Sequence, residues 1–185
     1  MINLRKFVAG AVLAIMIGSA MAATPAAANV SQSRTTAPGG AVVEFATDVE
    51  PGAIVISASQ RRLFYVVGNG VAISYPVAVP KRGKEWSGVT SISSMHVNPD
   101  WTPPAAVKAD HPELPDLIPG GAPNNPMGTR AMLLDRSEVA IHGTTNKMRA
   151  SIGTAASYGC IRMRNEDVAD LFDRVSVGAT VIMQP

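Results

Sequence analysis

Eight of the chain's 14 prolines fall in one stretch, residues 98–128, NPDWTPPAAVKADHPELPDLIPGGAPNNPMG. Proline fixes its own φ and has no N–H to donate, so it breaks helix interiors and stays out of central strands. No long helix or central strand crosses this stretch, and the core must be assembled from segments on either side of it. A loop of this length inside a compact domain is uncommon and tends to carry function. The expectation is a long Pro-rich loop that covers a site.

On both sides the pattern is β. AIVIS (53–57) and RRLFYVV (61–67) are β-branched and aromatic runs separated by a hairpin-length ASQ. GNG (68–70) is a second turn before VAISYPVAV (71–79), and GVTSISSMHV (88–97) reads as a further strand. After the proline stretch come TRAMLLD (129–135), EVAIHG (138–143) and a closing strand, GATVIMQ (178–184). One segment has helical period: in NEDVADLFDRV (165–175), Val168, Leu171, Phe172 and Val175 share a face, Asn165 is placed to cap, and Glu166 and Asp167 suit the first-turn dipole. The expected class is mainly β with one short helix; sandwich and barrel are not distinguished by this pattern.

The first residues are not part of that fold. MINLRK is a short basic start, FVAGAVLAIMIG is a twelve-residue apolar core, and SAMA ends in small residues. That order is a secretory signal peptide, residues 1–22, cleaved after Ala22; twelve apolar residues fall short of the ~20 that span a bilayer. Residues 23–49 read as a flexible leader rich in Ala, Pro, Ser and Thr, and 50–185 as one domain. The chain has 16 basic and 14 acidic residues, and loss of Arg5 and Lys6 leaves 14 against 14. No basic stripe points to nucleic acid or an anionic membrane surface, and no span is expected once the signal is removed.

Cys160 is the only cysteine, so an internal disulfide is excluded. An exported free thiol is either buried or chemically needed. His142 stands 18 residues earlier, and both residues sit where a strand pattern breaks into a glycine-containing loop. A thiol has a pKa of about 8.5, and a neighbouring imidazole raises its nucleophilicity and can protonate a leaving amine. Gly159 lets backbone approach a substrate, so amides around Cys160 could form an oxyanion hole worth ~3 kcal/mol per donor. The residues alone leave burial and catalysis both open. His96, His111 and His142, spaced 15 and 31 residues apart, make no metal-ligand pattern, so no metal is expected, and the glycine pairs are turn glycines rather than a phosphate or dinucleotide loop. Trp86 reads as packing, and Trp101 as a core lid or a substrate wall.

The segment IHGTT…IGTAASYGCIRMRNEDVADLF (141–172) resembles the catalytic signature of YkuD-type L,D-transpeptidases. IVISASQRRLFYVV…ISYPVAV and GAPNNPMGTRAMLL are similar to that family's first strands and to its lead-in to the histidine, so the likeness spans 50–185. It implies a β-sandwich and a cysteine acyltransferase acting on peptidoglycan stem peptides, without a cofactor. In that reading Cys160 is the nucleophile and His142 the base and acid. The backbone amides of Tyr158, Gly159 and Cys160 hold the oxyanion. Arg162, with Tyr158, Gly143, Thr144, Ser157 and Trp101, contacts substrate, Arg162 having local bracing as its other role. The acceptor is an amine of a second stem or of an outer-membrane protein, the location is the periplasm or cell envelope, and carbapenems are expected to acylate Cys160. Water as acceptor makes the protein an L,D-carboxypeptidase.

One departure stands out. The family usually has histidine before Gly-Cys, and this chain has Tyr158. A phenol with a pKa of about 10 does not relay protons at neutral pH, so a base at that position would leave only a non-catalytic wall-binding module; with His142 as base the chemistry survives. A sortase-like protein transpeptidase shares Cys, His and Arg but lacks the Gly-Cys-Ile-Arg arrangement.

Overall fold

Where β-branched and aromatic residues alternate, the chain forms a meander: β2 (Ile54–Ser57), β3 (Arg62–Gly68) and β4 (Val71–Pro76) pair antiparallel in order. This is seen in a computed structural model, which describes residues 40–185; the expected signal peptide, residues 1–22, and residues 23–39 of the expected leader lie outside the described residues. In the β3–β4 turn Asn69 and Gly70 both have positive φ, 53° and 74°, the left-handed pair that an Asn-Gly hairpin supplies. The last strand, β11 (Thr180–Gln184), returns to the middle, parallel to β2 and antiparallel to β6 (Gly88–Val97).

β6 decides the architecture. Its first residues, Gly88–Ser91, pair with β11, and from Ile92 to Val97 it pairs with β7 (Arg130–Leu134), with a register shift between Ile92 and Ser94. Such an irregularity bends a strand, and β6 thereby serves two layers. The first runs β1 (Ala41–Glu44), β4, β3, β2, β11, β6; the second continues through β7 and β8 (Ala140–His142) to β10 (Ile161–Arg162). The fold is the expected mainly β sandwich. Ile54, Ile56 and Leu63 of one layer share a buried core with Met132, Ile141, Ile161 and Met163 of the other. Helix α2 (Asn165–Phe172) adds Val168 and Leu171 to it, and Tyr75 on β4 donates to Asp170 Oδ2 at 2.5 Å.

Three expectations need correction. Residues 41–44, assigned to the leader, form strand β1 (Ala41–Glu44) on β4, and Phe45 stacks on Phe64 at 4.7 Å between centroids. The run is too short to show a period. It is ordered by apolar cover, for Val43 and Phe45 bury against Val55, Phe64 and Val66 on the outer face of the first layer. The Pro-rich stretch is not featureless: helix α1 (Ala105–Asp110) starts just after Pro103–Pro104, and Pro112 follows soon after its end, so prolines delimit it. With a 3-10 turn at Arg149–Ser151, the chain has more than the one helix expected. Two short strands, β5 (Val79–Pro80) and β9 (Ala155–Ser157), pair in parallel; β5 takes up the end of the run read as one strand over 71–79, and β9 carries no sequence signal.

Candidate active site

β8 and β10 are parallel neighbours, with Ile161 opposite Ile141 and Arg162 opposite His142. Side chains alternate along strands, so Ile141 and Ile161 enter the core while Ala140, His142, Cys160 and Arg162 share the other face. On β7 next door, Leu133 is opposite Ala140 and Ala131 opposite His142. The 17 residues between His142 and Cys160 are thus one parallel crossover that brings the two residues onto one face.

Cys160 opens into a cleft of about 730 Å³, within the usual size of small-molecule sites. Leu133 and Ala140 lie with it along the floor, residues 99–105 of the Pro-rich stretch form one wall, and the β7–β8 turn, residues 135–139, forms the other. The thiol donates to the carbonyl of Glu138 at 3.5 Å, and Glu138 holds a φ of 60°. A non-glycine residue in that region is strained by of order 1 kcal/mol, and here the strain turns the carbonyl toward sulfur.

Burial pushes the Cys160 thiol pKa up; the backbone of Ala140 and the charge of Arg162 pull it down, and Glu138 adds to the rise. His142 is buried at 4% exposure, and burial first, then the Arg162 charge, lower its pKa to about 4. The carbonyls of Gly143 and Pro126 favour the protonated ring, and they are outweighed; Nδ1 itself makes no hydrogen bond of good geometry. At neutral pH Cys160 is therefore a thiol and His142 a neutral imidazole, on one face of adjacent strands. A neutral imidazole can accept a proton but carries no charge to hold a preformed thiolate.

The loop before Cys160 is fixed from several directions. Trp86 Nε1 donates to the Gly159 carbonyl at 2.8 Å, so this tryptophan tethers the loop as well as packing beside it. Ser157 Oγ donates to the Cys160 carbonyl at 2.5 Å and accepts the Gly159 N–H at 3.3 Å. That corrects the three-amide oxyanion hole, since the Gly159 N–H is turned inward to its own loop. Gly159 has a φ of 139°, a backbone state that favours glycine.

Of the expected substrate contacts, Trp101 lines the cleft with Cys160. Arg162 instead braces the crossover, donating from Nη1 to Ser151 Oγ at 2.7 Å, and Ser157 is buried. Gly143 and Thr144 are held behind the floor by Asn165. This residue does not cap α2, where Arg164 is the cap; its Oδ1 accepts the N–H groups of Thr144 at 3.0 Å and Thr129 at 3.2 Å, and its Nδ2 donates to the Thr144 carbonyl at 2.8 Å. A Cβ on Gly143 would stand 2.2 Å from Asn165 Oδ1, so close approach requires glycine there. Tyr158 turns away from the cleft. Its hydroxyl donates to Asp110 Oδ2 at 2.6 Å at the end of α1, and Lys81 Nζ lies 3.5 Å over its ring.

Residues 51–183 match YkuD, the L,D-transpeptidase catalytic domain. The chain belongs to this family. Probable L,D-transpeptidase YbiS of Escherichia coli K12 is 36% identical over 141 residues, 72% of this chain and 44% of that protein. Probable L,D-transpeptidase ErfK/SrfK of Salmonella typhimurium is 35% identical over 139 residues, again 72% and 44%. The chain spans less than half the length of these curated relatives. Among solved structures, an L,D-transpeptidase from Mycobacterium smegmatis superposes with a TM-score of 0.58 at 17% identity, covering 80% of this chain and 69% of that one. The catalytic domain of an Enterococcus faecium L,D-transpeptidase gives 0.56 at 17% identity, covering 75% of this chain and all of that one. At such identities the likeness concerns the fold.

Within this YkuD domain the sequence missed several residues that shape the site. Asn125, buried in the Pro-rich stretch, donates to the carbonyls of Pro99, Ile118 and Pro119 at 2.9–3.1 Å and accepts the Met127 N–H, folding the cleft wall. Glu138, Arg136 and Asn165 likewise act through distant contacts that no local pattern signals. Among the described residues no group of three or more His, Cys, Asp or Glu is arranged to hold a metal, and no helix is long and apolar enough to cross a membrane.

Proposed function

We propose that this protein is an exported peptidoglycan L,D-transpeptidase, with a signal peptide in residues 1–22 and the catalytic domain in 50–185. Cys160 attacks the carbonyl of the diamino acid at position three of a tetrapeptide stem. Its thiol proton passes to His142, the C–N bond to the terminal D-Ala breaks, and His142 returns the proton to the departing amine. The thioester on Cys160 is then attacked by an amine, of a second stem or of an envelope protein, which restores the thiol. With Gly159 engaged inside its loop, the amides of Tyr158 and Cys160 are the remaining donors for the oxyanion.

The observation that carries this reading is the parallel pairing of β8 with β10, which sets Cys160 at the cleft and neutral, buried His142 on the same face. Tyr158 supports it too, because its hydroxyl is committed to Asp110 rather than to a proton relay. Incubation of the mature protein with tetrapeptide muropeptide is expected to release D-Ala and leave one acyl mass on Cys160, and carbapenem treatment to add one covalent mass at the same residue. The Cys160→Ala variant is expected to show neither. Undiminished turnover in that variant would defeat the proposal; a tripeptide product without cross-links would make the enzyme a carboxypeptidase.

A further inference from the structure

The β7–β8 turn carries a cation that the chemistry above does not use. Arg136 is exposed, is the only lysine or arginine lining the cleft, and has no carboxylate within 4.0 Å among the described residues. Lys81, Lys108, Arg149, Arg164 and Arg174 each face an acidic partner, and the other described cations without one do not line the cleft. The Arg136 guanidinium lies over the ring of Trp86 at 5.1 Å from the centroid. Trp86 is itself fixed, 9% exposed, with Nε1 bonded to the carbonyl of the residue preceding Cys160. One rigid indole therefore links the guanidinium to the nucleophile's loop.

We infer that Arg136, held on Trp86, is a specificity-determining residue that receives a carboxylate of the acyl-donor stem peptide in the Cys160 cleft. The inference rests on the stem-peptide reading above. Stacking on an aromatic face restricts the side chain while leaving the planar fork of N–H donors free, and that fork matches a carboxylate in two parallel bonds. Asp100, Asp135 and Glu138 make the rest of the lining negative, so Arg136 is where a substrate carboxylate meets least repulsion. An extended peptide advances ~3.3 Å per residue, and the two carboxylates nearest the scissile bond are the candidates. One is the terminal carboxylate just beyond the scissile bond, and the other is on the side chain of the diamino acid.

Three tetrapeptide donors separate these sources: the free acid, the C-terminal amide, and the form amidated on the diamino acid side chain. For the free acid, Arg136→Gln is expected to raise KM ~tenfold with kcat nearly unchanged, the loss of one charge-assisted contact. Arg136→Lys restores only part, because an ammonium lacks the fork. The donor for which wild type and Arg136→Gln become equal identifies the carboxylate. The same three peptides are titrated into Cys160→Ala and Cys160→Ala/Arg136→Gln proteins, where binding is read without turnover. There the first protein is expected to prefer the free acid and the second to lose that preference. An unchanged KM, a loss equal for all three donors, a fall confined to kcat, or no preference for the free acid in the Cys160→Ala protein would each overturn the inference. If wild type forms no acyl-enzyme with any donor, the transpeptidase reading fails, and the binding titration still decides Arg136.

Discussion

Cys160 and His142 are both neutral because burial disfavours the charged form of each; the Arg162 charge reinforces this at His142 and opposes it at Cys160. Burial raises the thiol and lowers the imidazole, whose folded pKa is about 4 against an ordinary 6.5. Between those two values the unfolded chain binds the proton that the folded protein refuses. Stability therefore falls as pH drops from about 6.5 toward 4, and this contribution is fully present above 6.5. Urea midpoints measured across that window are expected to fall more steeply for wild type than for His142→Gln, and parallel curves would contradict the buried neutral imidazole. Activity follows the same group: the acid limb of kcat/KM is expected well below pH 6.5, and a limb centred at that value would show His142 titrating as if exposed. Arg162 adds to the fall at His142 and works against the rise at Cys160 while its Nη1 is bonded to Ser151, the local bracing expected as its other role.

At the scale of elements, the site is two parallel strands and the loops that hold their ends. Asn165 ties the residues after β8 to those before β7, and Gly143 gives it room. Tyr158 ties the cysteine loop to α1 on the Pro-rich stretch, with Lys81 bonded to both sides of that contact. Asp110 is held below the usual carboxylate range, first by the Tyr158 hydroxyl and also by the Lys81 charge. Tyr158→Phe removes the bond and keeps the ring over Lys81. It is expected to speed amide exchange in residues 105–110 while leaving the melting temperature nearly unchanged, because the contact is near the surface. Unaltered exchange would mean that α1 is held by other contacts, such as those of Asn125. The replacement of histidine by tyrosine before Gly-Cys thus exchanges a titratable ring for a strut to the cleft wall.

Across the whole molecule, bent β6 lets one sheet fold back on itself, and the cleft forms where the second layer's outer face meets the Pro-rich stretch. The opposite end carries a separate apolar cluster under β1, built on Phe45 and Phe64. Phe45→Ala is expected to cost about 3 kcal/mol in urea unfolding, typical of a buried aromatic deletion, with thiol alkylation of the folded protein unchanged; a loss below about 1 kcal/mol would return the segment to the leader.

The meander, β6, β7, β8, α2 and β11 were legible because β-branched alternation and helical period are local, and Cys160 and His142 were legible because few residue types do this chemistry. The residues behind them were not. Asn165 read as a helix cap and Gly143 and Thr144 as substrate contacts, since sequence shows side-chain type and spacing but not the partner across a crossover. Arg136, Glu138, Trp86 and Asn125 gained their roles from contacts 22 to 73 residues away or from a loop folded on itself. The sequence by itself determined the strand class and singled out Cys160 and His142 as the residues expected to carry the chemistry. Only the tertiary structure decided which groups face the cleft, because burial, strand register and the charges around each proton are properties of neighbours in space.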